Sequence, residues 1–430
     1  MRAMQRAMAV VALGCVVSAS VACAAAADSD WPWWRGTRHD GKSPDTGLLK
    51  QWPEGGPRKL WQADDIGRGF STVAVTGGLI YTTGDVGSQA SQYTDRRGRS
   101  RSRTTGGRLT LFAFNMDGKL QWKADTDDAW TRSHPGSRST PTIDGDRLYL
   151  LSGNGLIACR DARTGKEKWT KHTRDFGGRP GSWGYAESIL ILGKLAIVKP
   201  GGQKCIVALD KMTGETVWTS SGFRAGPEYS SCLPFTFADQ LCIATGSRSG
   251  IVCVSATDGT LLWSNAWSAN NTANCPDPAY ADGHVFWANG YGKGGICMKL
   301  KDDGGTVGAD PAWTTRDMVC HHGGYIIHEG HIYGNNGRGW ACLDLKTGDK
   351  KWAGRGVGKG SVCYADGMLY LFGESGGRAG LAVCTPDGFE MKGTFKVAGR
   401  GPSWAHPVVI GGRLYLRYDT HLYCFDVKAR

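Results

Sequence analysis

The sequence feature that most constrains the fold is a nine-residue pattern that recurs along the chain. It reads Asp-x-x-Thr-Gly-x-x-x-Trp and occurs in full at 161–169, 210–218 and 344–352. Weaker copies end at other aromatic residues, which are Trp122, Trp263, Trp313 and Phe395. Successive copies end 39 to 50 residues apart, a spacing typical of four-stranded propeller blades. The pattern therefore predicts a series of similar β-sheet units.

Each unit carries the signals of short strands joined by tight turns. Runs such as 147–151 and 156–160 are rich in β-branched and aromatic residues and are bounded by Gly, Asn and Asp. The Thr-Gly pair predicts a turn with a glycine at positive φ, and we expect the tryptophan that follows to cover the neighbouring unit. Glycine accounts for 64 of the 430 residues, which argues against a coiled coil, a helical bundle or a disordered chain.

The number of units follows from their first strands. These begin near Thr72, Thr140, Ser188, Pro234, Ala279, Tyr325, Val362 and Pro407. The eighth unit ends before its outer strand, whereas 59–63, with Trp61, resembles an outer strand that has no unit of its own. Pairing the two chain ends would remove both free sheet edges. We therefore predict an all-β, eight-bladed β-propeller of four-stranded blades over 58–430, its last blade closed by an N-terminal strand.

The N-terminal segment predicts export. Arg2 and Arg6 precede an apolar run at 8–21, and small residues follow at 24–27, so 1–27 is predicted to be a cleaved signal peptide. Cys23 offers a lipid-anchored alternative. No later stretch is long and apolar enough to span a membrane, which predicts a periplasmic, cell-envelope or extracellular protein. The next segment, 28–57, holds four tryptophans, and we expect it to lie as an extended strap against the propeller.

The cysteines do not form a simple disulfide framework, although the sequence contains 14 of them. Four occupy equivalent third-strand positions in blades 2, 4, 6 and 8, which are never neighbours and so cannot pair with one another: Cys159, Cys253, Cys342 and Cys424. Three others precede the first strands of blades 4, 5 and 6, where pairing across adjacent blades is open: Cys232, Cys275 and Cys320.

A candidate site lies where the chain enters each first strand. Residues at these positions meet at the mouth of a propeller channel, although they are far apart in sequence. The candidates are Arg138, Trp183, Tyr185, Glu187, Asn274, His321, His322, Trp404 and His406, with Tyr229 and Lys359 close by in the same connections. They predict a ligand or cofactor pocket; the alternative is that they only fill the channel. No metal site is predicted, because adjacent residues on a strand, such as His321 and His322, point to opposite faces.

One insertion is strongly basic. Residues 88–108, between the second and third strands of blade 1, contain six arginines and one acidic residue, Asp95. Because Gly, Ser and Thr surround the arginines, we expect a mobile loop. It is either a solvated surface loop or, through Arg96–Arg108, a contact for an anionic partner such as an acidic polysaccharide or a lipid headgroup. Nucleic acid is not an expected partner of an exported protein.

These motifs resemble those of the pyrroloquinoline-quinone-like (PQQ-like) β-propeller repeat proteins. The resemblance rests on the Thr-Gly-x-x-x-Trp turns, on Trp-Pro-Trp-Trp-Arg-Gly at 31–36 and on Trp-Gly-Tyr-Ala-Glu-Ser at 183–188. Members include the propeller lipoprotein of outer-membrane protein assembly and, more distantly, the quinoprotein alcohol dehydrogenases. The first relationship implies a binding or scaffold module that presents its channel face to a protein, glycan or small molecule.

The second relationship implies the alternative function, a PQQ-dependent oxidoreductase acting on an alcohol or a sugar. In those enzymes the quinone lies between a tryptophan and two adjacent disulfide-linked cysteines, beside a Ca²⁺ ion. Here Trp183 or Trp404 would stack on PQQ, Glu187 and Asn274 would offer oxygens to Ca²⁺, and Arg138 would meet the acidic cofactor. The chain has no adjacent cysteine pair, which disfavours this alternative.

Overall fold

The computed structural model of the chain describes residues 30–95, 97 and 99–430. The predicted signal peptide and Cys23 lie outside these residues. The described chain is built from β-strands, with one short 3-10 helix at Thr173–Phe176. No helix in this part of the chain has the length and hydropathy that crossing a membrane requires.

The strands form eight antiparallel four-stranded blades. Strand β1 (Arg58–Ala63) comes first in the chain and belongs to blade 8. Blade 1 contains β2 (Ala74–Thr76), β3 (Leu79–Val86), the inserted hairpin β4 (Gln89–Thr94) and β5 (Ser100–Thr105), β6 (Arg108–Asn115) and β7 (Leu120–Asp128). Blade 2 contains β8 (Thr142–Asp144), β9 (Arg147–Leu151), β10 (Leu156–Asp161) and β11 (Glu167–His172). Blade 3 contains β12 (Leu190–Leu192), β13 (Leu195–Val198), β14 (Val207–Asp210) and β15 (Thr216–Thr219).

The remaining blades repeat this arrangement. Blade 4 contains β16 (Leu233–Phe237), β17 (Gln240–Ser247), β18 (Gly250–Ser255) and β19 (Leu261–Asn265), and blade 5 contains β20 (Ala279–Ala281), β21 (His284–Asn289), β22 (Gly294–Asp302) and β23 (Val307–Thr315). Blade 6 contains β24 (Tyr325–His328), β25 (His331–Asn335), β26 (Trp340–Asp344) and β27 (Lys350–Gly354). Blade 7 contains β28 (Gly360–Ala365), β29 (Met368–Gly373), β30 (Arg378–Val383) and β31 (Met391–Lys396), and blade 8 contains β32 (Val408–Ile410), β33 (Arg413–Tyr418) and β34 (His421–Asp426).

The predicted closure of the ring is confirmed. Strand β1 pairs antiparallel with β34, with Lys59 opposite Phe425 and Trp61 opposite Cys424. Blade 8 therefore takes its outer strand from the N-terminal part of the chain and its inner three strands from the C-terminal part. Because both ends of the propeller contribute to one sheet, the blade that closes the ring has four strands, like the other blades.

Adjacent blades are joined by the repeated tryptophan and the repeated glycine. Gly214, in the last turn of blade 3, has φ +77°, and a Cβ atom built there would lie 2.7 Å from the Trp169 ring of blade 2. The same contact recurs at four other joints: Trp61 with Gly118, Trp122 with Gly165, Trp218 with Gly259 and Trp313 with Gly348. Each of these glycines also has positive φ. The glycine is therefore required twice, for its backbone conformation and for the close approach of the ring.

The indole N–H groups strengthen four of these five joints. Trp169 Nε1 donates to the carbonyl oxygen of Lys211 at 3.1 Å, and Trp218 Nε1 donates to that of Ala256 at 3.1 Å. Trp61 makes the corresponding bond to Met116 at 2.9 Å across the closing joint. One side chain thus buries a large apolar surface and places a directional bond on the next blade.

The channel has two different ends. Two kinds of connection lie on one side of the ring, which we call the entry face. The fourth-to-first connections lead from the last strand of one blade to the first strand of the next, and the second-to-third connections join the middle two strands of a blade. The other turns lie on the opposite side, the far face. The strap over 30–57 crosses the channel at the far end. Its Trp31 pairs with Val75 of blade 1, Trp33 Nε1 donates to the Ile189 carbonyl of blade 3 at 3.2 Å, and a terminal nitrogen of Arg35 donates to the Tyr325 carbonyl of blade 6 at 2.7 Å. The strap therefore closes the far end.

The basic insertion is more regular than its composition indicates. Strands β4 and β5 pair along their whole length, from Gln89 opposite Thr105 to Thr94 opposite Ser100. In the turn, Asp95 accepts hydrogen bonds from the backbone N–H groups of Arg97 and Arg99. The insertion is therefore a hairpin that extends from the entry face, and nearly all of its described side chains are exposed.

The cysteines in the described residues are all free thiols. Cys159, Cys253, Cys342 and Cys424 are buried in the blades, as their third-strand positions predict. The pairing that the sequence left open for Cys232, Cys275 and Cys320 does not occur. The propeller is thus held together by packing and hydrogen bonding without covalent cross-links among these residues.

The contact between tryptophan and glycine is testable by adding one methyl group. Gly214→Ala should destabilise the protein by about 1–3 kcal/mol more than Gly193→Ala, measured by urea denaturation, because only Gly214 lies against a ring. Gly193 in the same blade also has positive φ (+59°), but a Cβ atom there meets nothing within 4 Å. It therefore reports the backbone cost alone, about 1–2 kcal/mol. Equal losses would show that the ring contact does not restrict residue 214.

Candidate functional site

A cavity of about 290 Å³ opens at the centre of the entry face. Its lining comes from the connections that lead into the first strands, together with one residue of the strap, Trp34, and one of a second-to-third connection, Tyr291. The other lining side chains include Phe70, His134, Arg138, Trp183, Tyr229, Asp277, His321, His322, Trp404 and His406. Because Trp34 belongs to the strap at the far end, the cavity has its opening on the entry face.

Six of the nine predicted site residues line this cavity, namely Arg138, Trp183, His321, His322, Trp404 and His406. Tyr185, Glu187 and Asn274 are buried elsewhere. In the segment before blade 3, Ala186 and Ser188 line the cavity. Alternate residues of an extended segment point to opposite sides, so Tyr185 and Glu187 face into the blades.

The three residues outside the cavity have structural partners. The Tyr185 hydroxyl donates to the Pro200 carbonyl at 2.8 Å. Glu187 Oε1 accepts from the backbone N–H of Lys199 at 2.6 Å, and burial raises its pKa to about 7. The Asn274 side chain accepts from the backbone N–H of Asn270 at 2.9 Å and donates to the Asn270 carbonyl at 3.1 Å. These groups are engaged in local hydrogen bonds and do not face a ligand.

Sequence reasoning missed other lining residues, including Trp34, Phe70, His134 and Asp277. Phe70, His134 and Asp277 precede first strands, so the rule that found the other candidates also applies to them. Trp34 had no such signal, because the path of the strap across the channel depends on contacts with distant blades.

Aromatic rings are concentrated around Trp404. The His322 ring stacks on it, with centroids 4.2 Å apart and planes 27° apart, and Phe70 lies 4.7 Å away. His134 approaches the same indole edge-on at 5.1 Å. On the opposite side of the ring of blades, Trp183 packs edge-on against Tyr229, with ring centroids 5.9 Å apart. These faces give the cavity a flat, polarisable lining that suits stacking with a planar group.

Arg138 supplies a fixed positive charge. Its terminal nitrogens donate to the carbonyl oxygens of Gly136, Ser133 and His134, at 2.5, 3.0 and 2.7 Å. The guanidinium lies 5.8 Å from the Phe70 ring centroid and 5.4 Å from that of Trp130. Burial lowers its pKa to about 10, so the side chain stays charged at neutral pH. It is held in one orientation before any ligand arrives.

The two adjacent histidines do not follow the strand rule used above. They lie in the connection before β24 and their rings are only 3.6 Å apart, so the argument that they point in opposite directions was wrong. Single atoms of His321, His322 and Glu374 lie within 4.8 Å of one another. However, Lys359 Nζ lies 2.8 Å from His321 Nδ1 and 2.9 Å from Glu374 Oε2. An ammonium group thus already occupies the position between these donors, and we assign no metal to them.

The charges of the other titratable groups follow from burial and from their neighbours. Burial by itself would raise the pKa of Glu374, but the neighbouring His321 and the hydrogen-bonded ammonium of Lys359 outweigh it and hold the pKa at about 2. Burial lowers the pKa of His322, and burial together with Arg35 lowers that of His406 to about 4. At neutral pH these two imidazoles are therefore uncharged, and the cavity takes its positive charge from Arg138.

The cavity does not fit the quinone site that the resemblance implies. The sequence has no two adjacent cysteines that could form a disulfide platform, and Cys275, which lines the cavity, is a free thiol. The oxygens of Glu187 and Asn274, the predicted Ca²⁺ ligands, lie away from the cavity in the hydrogen bonds given above. The tryptophans and the arginine are present, but the cysteine platform and the oxygen ligands are not.

A buried carboxyl group behind Arg138 gives the protein a pH dependence that can be measured. Asp85 Oδ2 accepts from the backbone N–H of Trp130 at 3.0 Å. Burial raises the pKa of Asp85 to about 7, against the opposing effects of that hydrogen bond and of Arg138 and Arg417. Because the folded protein holds this proton more tightly than the unfolded chain, the contribution of Asp85 to stability falls as pH rises.

We therefore expect Asp85→Asn to gain stability relative to the unchanged protein as pH rises. Between pH 5 and pH 8 the difference in unfolding free energy should shift by roughly 2–3 kcal/mol in favour of the variant. Urea denaturation at a series of pH values measures it. A difference that stays constant across this range would mean that Asp85 is already ionised at pH 5.

Known proteins resemble this chain at low sequence identity. It is 22% identical over 385 residues to the tetrathionate hydrolase of Acidithiobacillus ferrooxidans, covering 83% of this chain and 64% of that protein. BamB from Moraxella catarrhalis has 15% identity, a TM-score of 0.55 and coverage of 81% of this chain and 98% of that one. The quinohemoprotein alcohol dehydrogenase ADHIIG from Pseudomonas putida HK5 has 13% identity, a TM-score of 0.50 and coverage of 94% and 81%. The two structures share the propeller fold.

One family model matches more than half of the chain. It covers residues 105–354, from the third strand of blade 1 to the last strand of blade 6, and is described as outer membrane protein assembly factor BamB. The repeated tryptophan turns, the eight closed blades and this match agree. The chain belongs to the BamB-like family of PQQ-repeat β-propellers.

Proposed function

We propose that the protein is an exported binding module that uses the cavity on its entry face to hold a planar group of another molecule. The observation that carries this proposal is the convergence of rings from distant blades on one open cavity, with a charged guanidinium fixed beside them. Phe70 comes from the connection into blade 1, Trp183 from that into blade 3 and Trp404 from that into blade 8. A pocket assembled in this way has the features of a ligand-binding site.

The polar groups of the cavity favour binding over catalysis. His321 is bonded to Tyr291 and Lys359, and His406 is bonded to the carbonyl of His322. Asp277 is the carboxyl group of the lining; it accepts from the backbone N–H of Ser231 at 2.6 Å, and burial raises its pKa to about 6. The described lining thus has no pair of carboxyl groups, an arrangement on which acid–base catalysis often rests. Burial raises the pKa of the Cys275 thiol in the lining, which disfavours the thiolate that covalent catalysis needs.

The size and charge of the cavity define the class of ligand. At about 290 Å³ it lies near the lower limit of small-molecule pockets, roughly 300 Å³, so it holds one ring system and not a polymer. Aromatic faces favour stacking on a sugar or an aromatic ring, and Arg138 favours a negative group attached to it. The ligand is therefore either a small molecule or one side chain of a protein partner.

The family match supports this role. The matching family model is described as an assembly factor and not as an enzyme. That description and the predicted signal peptide support a binding function in the cell envelope or outside the cell.

The proposal is tested with 1-anilinonaphthalene-8-sulfonate, whose planar naphthalene ring carries a sulfonate group and therefore matches the required class. We expect saturable binding, followed by its fluorescence, that Trp183→Ala weakens about tenfold or more, because a stacking face is lost. Tyr93→Ala is the control, since it removes an exposed aromatic residue of the same face outside the cavity. Circular dichroism should show that both variants keep the fold. Equal affinities in the two variants would place the dye elsewhere.

The oxidoreductase alternative has its own test. Purified protein is incubated with PQQ and Ca²⁺, and the reduction of a redox dye is followed across a series of alcohols and aldoses. We expect no turnover above the level without protein, because the cavity lacks the cysteine platform and the oxygen ligands. Turnover that depends on both PQQ and Ca²⁺ would contradict the binding-module proposal.

A further inference from the structure

The antiparallel blades sort the connections of the chain onto two faces. The entry face receives the fourth-to-first connections, most of which are long, and the second-to-third connections, and the far face receives the remaining turns. Any difference in composition between these two sets of segments therefore becomes a difference between two surfaces of the same molecule.

The charges are distributed very unequally between the two sets. The entry-face connections, with the hairpin included, contain 20 Lys and Arg residues against 10 Asp and Glu residues. The far-face turns between strands contain 6 basic against 12 acidic residues. The formal net charge of the whole chain is +12, so its positive excess is concentrated on one side. A protein with this distribution presents a basic face and an acidic face.

Many of the entry-face arginines have no acidic partner in the described chain. Six of them are exposed and come from six different connections, spaced around the ring: Arg103, Arg132, Arg179, Arg224, Arg338 and Arg400. Each lacks a carboxylate within 4.0 Å among the described residues. A guanidinium binds phosphate and carboxylate through two parallel hydrogen bonds and is more weakly hydrated than an ammonium, so a ring of free arginines favours a surface rich in such anions.

The hairpin carries part of this charge away from the ring. Residues directly opposite each other in β4 and β5 share a face, so Tyr93 and Arg101 lie beside Ser91 and Arg103 on one side of the ribbon. Arg101 and Arg99 are bonded to Asp95 at 3.2 Å. The ribbon therefore has a side with arginine and tyrosine, and a second side of small polar residues.

The two exposed tyrosines of the described chain both lie on the entry face. Tyr93 in the hairpin is 50% exposed and Tyr291 in blade 5 is 54% exposed. Tyrosine combines an apolar ring with a polar hydroxyl and is enriched where protein meets the headgroup region of a membrane. Tyrosine beside arginine is thus the combination expected for a lipid surface, whereas a soluble polyanion needs only the arginines.

We propose that the entry face, led by the β4–β5 hairpin, docks the propeller on the surface of a membrane that contains anionic phospholipid headgroups. The ring of free arginines contacts the phosphates, and Tyr93 enters the headgroup layer. In this orientation the acidic far face points away from the membrane, so repulsion from the lipid adds to the preference for one side. The cavity at the centre of the entry face then opens toward the membrane.

The experiment measures co-sedimentation with vesicles of phosphatidylcholine, with and without phosphatidylglycerol, in low and high salt. The test variant carries Arg132→Gln, Arg179→Gln, Arg224→Gln and Arg338→Gln, all on the entry face. The matched control loses the same charge from exposed far-face positions through Lys119→Gln, Lys166→Gln, Lys194→Gln and Lys346→Gln. A third variant, Tyr93→Ser, tests the headgroup contact, and a fourth lacks Gln89 to Thr105.

We expect binding that requires phosphatidylglycerol and weakens in high salt. The entry-face variant should bind about tenfold or more weakly, and the control should change less than about twofold. Tyr93→Ser and the deletion should both weaken binding to vesicles. Tyr93→Ser should leave retention on dextran sulfate unchanged, because it removes no charge. Equal losses in the two charge variants would show that net charge and not the entry face is responsible. Retention on dextran sulfate without binding to vesicles would identify a polysaccharide-type partner and overturn the proposal.

This inference stands apart from the function proposed for the cavity. Trp183→Ala should leave vesicle binding unchanged, because Trp183 belongs to the cavity and not to the ring of free arginines. Loss of vesicle binding in Trp183→Ala would mean that the cavity itself contacts the lipid, and that the arginine ring is not the docking surface.

Discussion

The structure depends on one contact between neighbouring blades, in which an outer-strand tryptophan lies against the turn glycine of the next blade. The ring can approach the backbone this closely because glycine has no Cβ atom, and the indole N–H then reaches a carbonyl in the same turn. Blade sheets are hydrophobic on both sides, so each must be covered by two neighbours. The joint between tryptophan and glycine covers five of the eight pairs of adjacent blades, and β1 lets Trp61 make the one that closes the ring.

Closure of the ring determines what the protein can do on its two faces. Residues that enter the first strands are brought together only because the blades surround one channel, and the strap closes the far end of that channel through Trp33 and Arg35. The channel thus becomes a pocket with one opening. The same closure gathers the long, arginine-rich connections on the side of that opening, so that a neutral-to-positive cavity lies at the centre of a basic surface.

The fold could be predicted almost completely from the sequence, because the repeat reports a local rule that acts in every blade. The eight first strands and the closing strand all follow from the tryptophan turns and from Trp61. The site was predicted only in part. Trp183 and Trp404 face the cavity, but Tyr185 and Glu187 do not, since the side on which a residue of an irregular connection emerges depends on contacts that no sequence pattern records. Trp34 entered the site through the strap, and the close approach of His321 and His322 depends on the loop that they occupy. The sequence also could not decide whether Cys232, Cys275 and Cys320 form disulfides.

The central claim is that rings from distant blades form one ligand cavity at the channel mouth. A crystal structure of the protein with bound 1-anilinonaphthalene-8-sulfonate tests it most directly. We expect electron density for the dye inside the cavity, with its rings against Trp183 or Trp404 and its sulfonate near the Arg138 guanidinium. Density for the dye at saturating concentration only on the outer surfaces of the blades, with an empty channel mouth, would contradict it.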